Sequence, residues 1–301
     1  MKETGAPYGE ARRLRYFVVI CRELLGLPSV DIDLFIDRLL RATGNINLDL
    51  SRYLRETGIL QSRAVARNYL RFADWLGFLR IENRIVVPNS YTVFFAKVNG
   101  RNDFFLSEKE KVAFFLKLTE LEKFVQLIGS LRIKNSIQDF VKLLNVSEHF
   151  IESYFEWLVD LAILKPTQRK FGVFDLSNLG YQVLEASRNA RQKQNNTCST
   201  YIENLLGIRL ESETRLSEDD VWNLLEMTLS KLGQYTRSEV DSELYSAYPL
   251  VLDMQIRLIF DHHLMISIPH LIDKLKDISP SHNAIFSWDS LAVAGYVKFH
   301  R

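Results

Sequence analysis

Cysteine is nearly absent. Cys21 and Cys198 are the only two in 301 residues. They are far apart and outside any C-x-x-C spacing, which excludes a disulfide framework or a thiolate zinc cluster and suits a reducing interior. Proline is also scarce, with 7 in the chain, so helical patterns run with few breaks. No apolar run is long. The stretch "YFVVIC" is cut at once by Arg22 and Glu23. It is too short and too charged for a signal peptide or a membrane span, so the expected location is cytoplasmic, with no membrane contact. The sequence has no G-x-G-x-x-G, no P-loop and no G-x-S-x-G, which removes the common dinucleotide, nucleotide and serine-hydrolase sites. An excess of charge of either sign is missing as well. The formal net charge is +1, so the whole chain has no basic footprint for nucleic acid.

What is present is a foldable composition, 47% hydrophobic and 25% charged, enough to bury a sizeable core. The charge is unevenly spread. Residues 1–100 carry 15 Lys/Arg against 10 Asp/Glu, residues 101–190 carry 12 against 12, and residues 191–301 carry 11 against 15. A nucleic-acid partner therefore belongs to the N-terminal third. The acidic C-terminal part suits a protein partner or self-association.

Apolar residues recur at three- and four-residue spacing along most of the chain, the helical pattern. Strand candidates come as hairpin pieces: "FLRIENRIVVP" at 78–88, turning at Glu82-Asn83, and "ILKPTQRKFGVFDL" at 163–176. The polar stretch "SRNARQKQNNTCST", 187–200, reads as a linker or an exposed helix end. The resulting division is residues 1–100, 101–187, a polar linker over 188–216, and a helical part over 217–301. An internal repeat supports it. "NYLRFADWLGFLR" (68–80) aligns without gaps to "SYFEWLVDLAILK" (153–165), pairing Tyr69 with Tyr154, Leu76 with Leu161 and Gly77 with Ala162. A shorter amphipathic helix precedes each copy, "DLSRYLRET" and "SIQDFVKLL", and a hairpin follows each.

Helix, turn, helix and hairpin in that order resembles a winged helix-turn-helix. Residues 137–187 are similar to the transcription-regulator type through "LAIL" (161–164), the basic tip "TQRK" (167–170) and "LSNLG" (176–180), where Ser177 caps a last helix. Residues 50–88 resemble the same unit more loosely, with the longer turn "ETGILQS". The resemblance implies a mainly α fold: tandem winged-helix domains with short β-hairpin wings, followed by a helical C-terminal domain. Such domains serve DNA binding and protein contact alike.

The two copies differ on the face that would meet DNA. In the first, Val65, Tyr69, Phe72 and Leu76 form the apolar face. Arg63, Arg67 and Arg71 form a stripe opposite, at i, i+4 and i+8, with Asn68 and Gln61 near it. Arginine reads guanine and binds phosphate; Asn68 is placed to read adenine. Arg80, Arg84, Arg169 and Lys170 are the candidate wing contacts. In the second copy the corresponding stripe is Glu148, Glu152 and Glu156, which would repel a phosphate backbone and suits a solvated or protein-docking face.

Near the C-terminus, Asp261-His262-His263 resembles the motif of a metal-dependent phosphoesterase family. That chemistry needs the triplet at a strand end, with further aspartates at earlier strand ends. The pattern here is helical, with Leu252, Ile256, Ile259 and His263 on one inward face, so the ligands do not converge. Asp31 and Asp33 mark a helix start, and Ser217 with Asp220 marks another. A short strand is expected in "VAGYVKF", with Trp288 packed on the third part. The expectation is thus a protein with no catalytic activity, metal or cofactor, that binds double-stranded DNA. A regulator or an accessory subunit of a defence or restriction type complex would suit it. The alternative is a winged-helix protein-interaction subunit without direct DNA contact.

Overall fold

The computed structural model describes residues 11–44, 62–98, 105–165, 173–189, 193–211, 216–232, 244–247, 250–289 and 294–299. They form a mainly helical structure with small antiparallel sheets. Local sequence fixes many helix starts. Asn89 with Thr92 and Ser107 with Glu110 form reciprocal capping boxes. Ser217 and Asp220 do the same, with Asp220 N–H donating to Ser217 Oγ at 3.1 Å and Ser217 N–H to Asp220 Oδ2 at 3.2 Å.

Two stretches share one chain path. The first runs helix Leu14–Leu24, strand Val30–Asp31, helix Ile32–Gly44, helix Arg63–Leu76, strands Leu79–Glu82 and Ile85–Pro88, and helix Ser90–Lys97. Its third strand lies between the other two, antiparallel to both. The second runs helix Glu122–Ser130, strand Lys134–Ser136, helix Ile137–Leu144, helix Glu148–Asp160, strand Val173–Asp175 and helix Asn178–Asn189. Val173–Asp175 pairs antiparallel with Lys134–Ser136, and Leu176 bridges to Leu164. The expected helix in "DLSRYLRET" and the wing residues Arg169 and Lys170 lie outside the described residues. The hairpin at 78–88 forms as expected. Its turn sits one residue later, at Asn83-Arg84, because Glu82 pairs with Ile85.

The repeat extends to backbone detail. Gly77 and Ala162 both end their helices in the left-handed region, at φ 77° and 61°. In each case the next amide reaches back five residues: Phe78 N–H to Ala73 O and Ile163 N–H to Leu158 O, both 2.8 Å. The cap of the closing helix then binds the same carbonyl in both copies, Asn89 Nδ2–H to Gly77 O at 2.8 Å and Ser177 Oγ–H to Ala162 O at 2.6 Å. A left-handed alanine is strained where glycine is not. Ala162→Gly is therefore expected to stabilise the protein by about 0.5–1 kcal/mol, read as a raised midpoint in urea unfolding; a lowered midpoint would contradict this account.

One contiguous apolar cluster runs through both copies and takes in Leu252, Ile256 and Ile259 of the helix Leu250–His262. The opposite side of that helix gives Val251, Met254 and Leu258 to a second cluster, which includes Leu225, Leu271, Phe286 and Val297. The strands Leu244–Ala247, Ala284–Asp289 and Ala294–Phe299 form a sheet with the last in the middle, and Trp288 packs on this cluster.

The stretch 188–216, expected as a linker, contains the helix Lys193–Leu206. Cys198, Tyr201 and Ile202 are buried there, and the Tyr201 ring stacks on Phe115 at 3.8 Å between centroids. The expectation for His263 also needs correction. The helix ends at His262, and His263 is exposed at φ 56° rather than turned inward. Its carbonyl accepts the Glu211 amide at 2.8 Å. The left-handed turn swings the residue off the apolar face that straight helical periodicity assigns to it.

Candidate nucleic-acid interface

The arginine helix starts at Ser62, whose side chain accepts from Val65 N–H at 3.2 Å. Ala66, Tyr69, Leu70, Phe72, Ala73 and Leu76 are buried. That anchored face turns Arg63 and Arg71 to solvent and leaves Arg67 and Asn68 half-buried. The neighbouring hairpin has a two-residue turn with Asn83 at φ 48° and Arg84 at φ 67°, the geometry of a tight hairpin matched to strand twist. It leaves the Arg84 side chain 71% exposed. Arg80, on the strand before the turn, pairs with Glu82 at 2.9 Å.

The structure brings Arg63, Arg67 and Arg84 together around one carboxylate. Asp33 stands in the first turn of the helix Ile32–Gly44, which Asp31 caps by accepting Asp33 N–H at 2.8 Å. The Asp33 carboxylate is 3.2 Å from Arg63 and 2.9 Å from Arg67, and it also accepts from Arg84 Nη2. Asp37, one turn on, pairs with Arg63. Partial desolvation alone would raise the Asp33 pKa. The hydrogen bonds from Arg67 and Arg63 and the charge of Arg84 outweigh it and hold the carboxyl below its ordinary value. The Arg84 carbonyl also accepts Ile32 N–H at 2.8 Å, fixing the hairpin tip to the helix start. Arg71 has no ion-pair partner among the described residues.

The corresponding helix of the second copy, Glu148–Asp160, has a different environment. Phe72 and Trp75 of the arginine helix pack against its Phe150, with centroids 6.1 and 5.6 Å apart. Its acidic side takes up residues 11–14. Arg12 pairs with Glu152 and Arg13 with Asp160, both at 3.0 Å. Ala11 N–H donates to Ser153 Oγ at 3.0 Å, and Trp157 Nε1–H donates to Ala11 O at 2.6 Å. Asp160 also accepts Leu14 N–H at 2.8 Å, capping the helix Leu14–Leu24 from a distance in sequence. Burial pushes the Asp160 carboxyl up to about 6 against the opposing pull of Arg13 and that amide. Glu148 is exposed, Glu152 half-buried and Glu156 buried, so this helix is occupied by the rest of its own chain.

No family model, curated protein or solved structure matches the chain. The candidate interface therefore rests on its own geometry. Sequence reading placed the arginines on one face but missed Asp33 and Asp37 opposite them. The available signal was a matched spacing: acids four apart in one helix, Asp33 and Asp37, and arginines four apart in a later one. Among the described residues, no three His, Cys, Asp or Glu side chains gather into a group that could hold a metal, and no helix is long and apolar enough to cross a membrane.

Proposed function

We propose that the protein binds duplex DNA without catalysis, through a winged helix formed by its first copy. The single observation that carries this reading is the grouping of Arg63, Arg67, Arg71 and Arg84 on one exposed surface made by a helix and a hairpin tip. The described acids bonded to these arginines are Asp33 and Asp37, so the surface keeps a positive excess. Support comes from the described elements, a strand, two helices and a hairpin in that chain order with the third strand central in the sheet; in a winged helix read this way the arginine helix is the one laid in the major groove. Asn68 flanks the arginines as a base contact, and Arg80 supports the hairpin. The second copy's helix has glutamates on the corresponding face and seats residues 11–14 there, so the first copy makes the contact.

The test is fluorescence anisotropy with a labelled mixed-sequence duplex over a range of salt. The R63A/R67A/R71A triple variant is expected to bind at least tenfold more weakly, with the salt slope flattened by up to about 3 through lost phosphate contacts. Equal binding by variant and wild type would sink the assignment.

A second reading, a protein-interaction subunit without direct DNA contact, is favoured by one observation. In the second copy the helix at the equivalent position holds a peptide, residues 11–14, by ion pairs and hydrogen bonds. The arginine face would then take an acidic segment of a partner, or the acidic C-terminal part of a second copy. Absence of DNA binding at low salt, with a co-purifying acidic partner, would select this reading.

A further inference from the structure

We infer that Asp33, assisted by Asp37, acts as a built-in competitor for backbone phosphate and sets the affinity of the arginine surface; this rests on the DNA-binding reading above. Three guanidinium groups from two separate elements converge on the Asp33 carboxylate: Arg63 and Arg67 from the helix and Arg84 from the hairpin tip. A carboxylate and a phosphate present the same anionic oxygens to a guanidinium, and arginine recognises both by the same paired N–H donors. Asp33 therefore occupies the position that a phosphate oxygen would take between helix and hairpin.

A phosphate entering this site must displace Asp33 or share the arginines with it. The carboxylate opposes binding in two ways: it saturates the donors and adds a negative charge beside the incoming phosphate. Arg71, outside this cluster, is the arginine ready to make the first contact. Asp33 need not be there for the helix start itself, because Asp31 accepts the first-turn amides of Asp33 and Leu34. The competitor rejects weakly charged anions, which cannot repay the broken bonds, while a duplex presenting several phosphates can.

The experiment compares Asp33→Asn with wild type in the same anisotropy titration. Asn keeps the shape and removes the charge. The expected result is binding on the order of tenfold tighter at low salt, with a salt slope steeper by about 0.9 for each further phosphate neutralised. Asp37→Asn should move both readouts in the same direction by less, and it serves as the second variant should Asp33→Asn melt early. Asp139→Asn, an equal charge change on the helix Ile137–Leu144, controls for net charge and should leave both readouts unchanged. Wild-type binding that the arginine triple variant abolishes, with Asp33→Asn and Asp37→Asn both at wild-type affinity, would overturn the competitor and leave the DNA reading intact. Absence of binding by wild type and by both variants would overturn both.

Discussion

Glu110→Ala is expected to destabilise the protein by about 3–5 kcal/mol, a large part of the total stability of an ordinary domain. Glu110 is 1% exposed and Arg15 is 3% exposed. Arg15 Nη1 donates to both carboxylate oxygens, at 3.0 and 3.3 Å, linking the helix Leu14–Leu24 to the helix Glu108–Leu118. The same carboxylate accepts Ser107 N–H at 2.7 Å and so caps its own helix. Alanine removes both functions and takes from a buried guanidinium the counter-charge that Glu110 supplies. Glu110→Gln keeps an acceptor for Ser107 but not the counter-charge, so its loss should be intermediate. Combining Glu110→Gln with Arg15→Met should recover part of that loss, because part of the cost is the counter-charge taken from a buried guanidinium rather than the missing bond. Urea unfolding of these variants gives the coupling directly. If Glu110→Ala lowers stability by less than about 1 kcal/mol, the pair is not the buried link described here.

Gly180→Ala should be nearly as damaging. Gly180 follows the Ser177 cap and donates its N–H to Ser177 Oγ at 2.9 Å. A Cβ at this position would lie on the backbone carbonyl oxygen of Ile163 and 2.8 Å from Leu176 Cδ2. The carbonyl cannot turn aside, because it accepts Ser177 N–H at 3.0 Å. The expected loss is about 3 kcal/mol, at the upper end of overpacking effects. Gly129→Ala is the internal comparison: nothing lies within 4 Å of a Cβ there. In the last turn of the helix Glu122–Ser130 that change should stabilise by a few tenths of a kcal/mol, up to about 0.5. Thermal melts of the two single variants should therefore shift in opposite directions. A shared direction would mean that the close approach at Gly180 does not decide its residue type.

Much of this was legible in the chain before any coordinates. Tyr69 and Tyr154, Leu76 and Leu161, and Gly77 and Ala162 align in sequence and take equivalent places in the structure, because a helix end needing a left-handed residue constrains the same position twice. The hairpin at 78–88 was legible from its alternation. The helix Lys193–Leu206 was missed for a specific reason. Its apolar residues, Cys198, Tyr201, Ile202, Leu205 and Leu206, keep helical spacing, but its first turn is polar and the polar window ended at Thr200. The arginine stripe was legible as a face, whereas its aspartate partners were not, since they belong to a helix about thirty residues away. Glu156 shows the same limit: one helix's periodicity identifies its polar side, and only packing decides whether that side meets water.

The seat of residues 11–14 governs the order in which the molecule can complete itself. Ala11 and Leu14 bond to Ser153 and Asp160 across 142 and 146 positions of chain. During synthesis the first copy is made before the surface that holds its leading segment exists. Its opening helix, capped by Asp160, stays without that cap until the second copy has been made. Contacts of such long range close slowly, and a chain in this condition exposes apolar surface meanwhile. The two copies are therefore expected to finish folding together, although each repeats the same local plan.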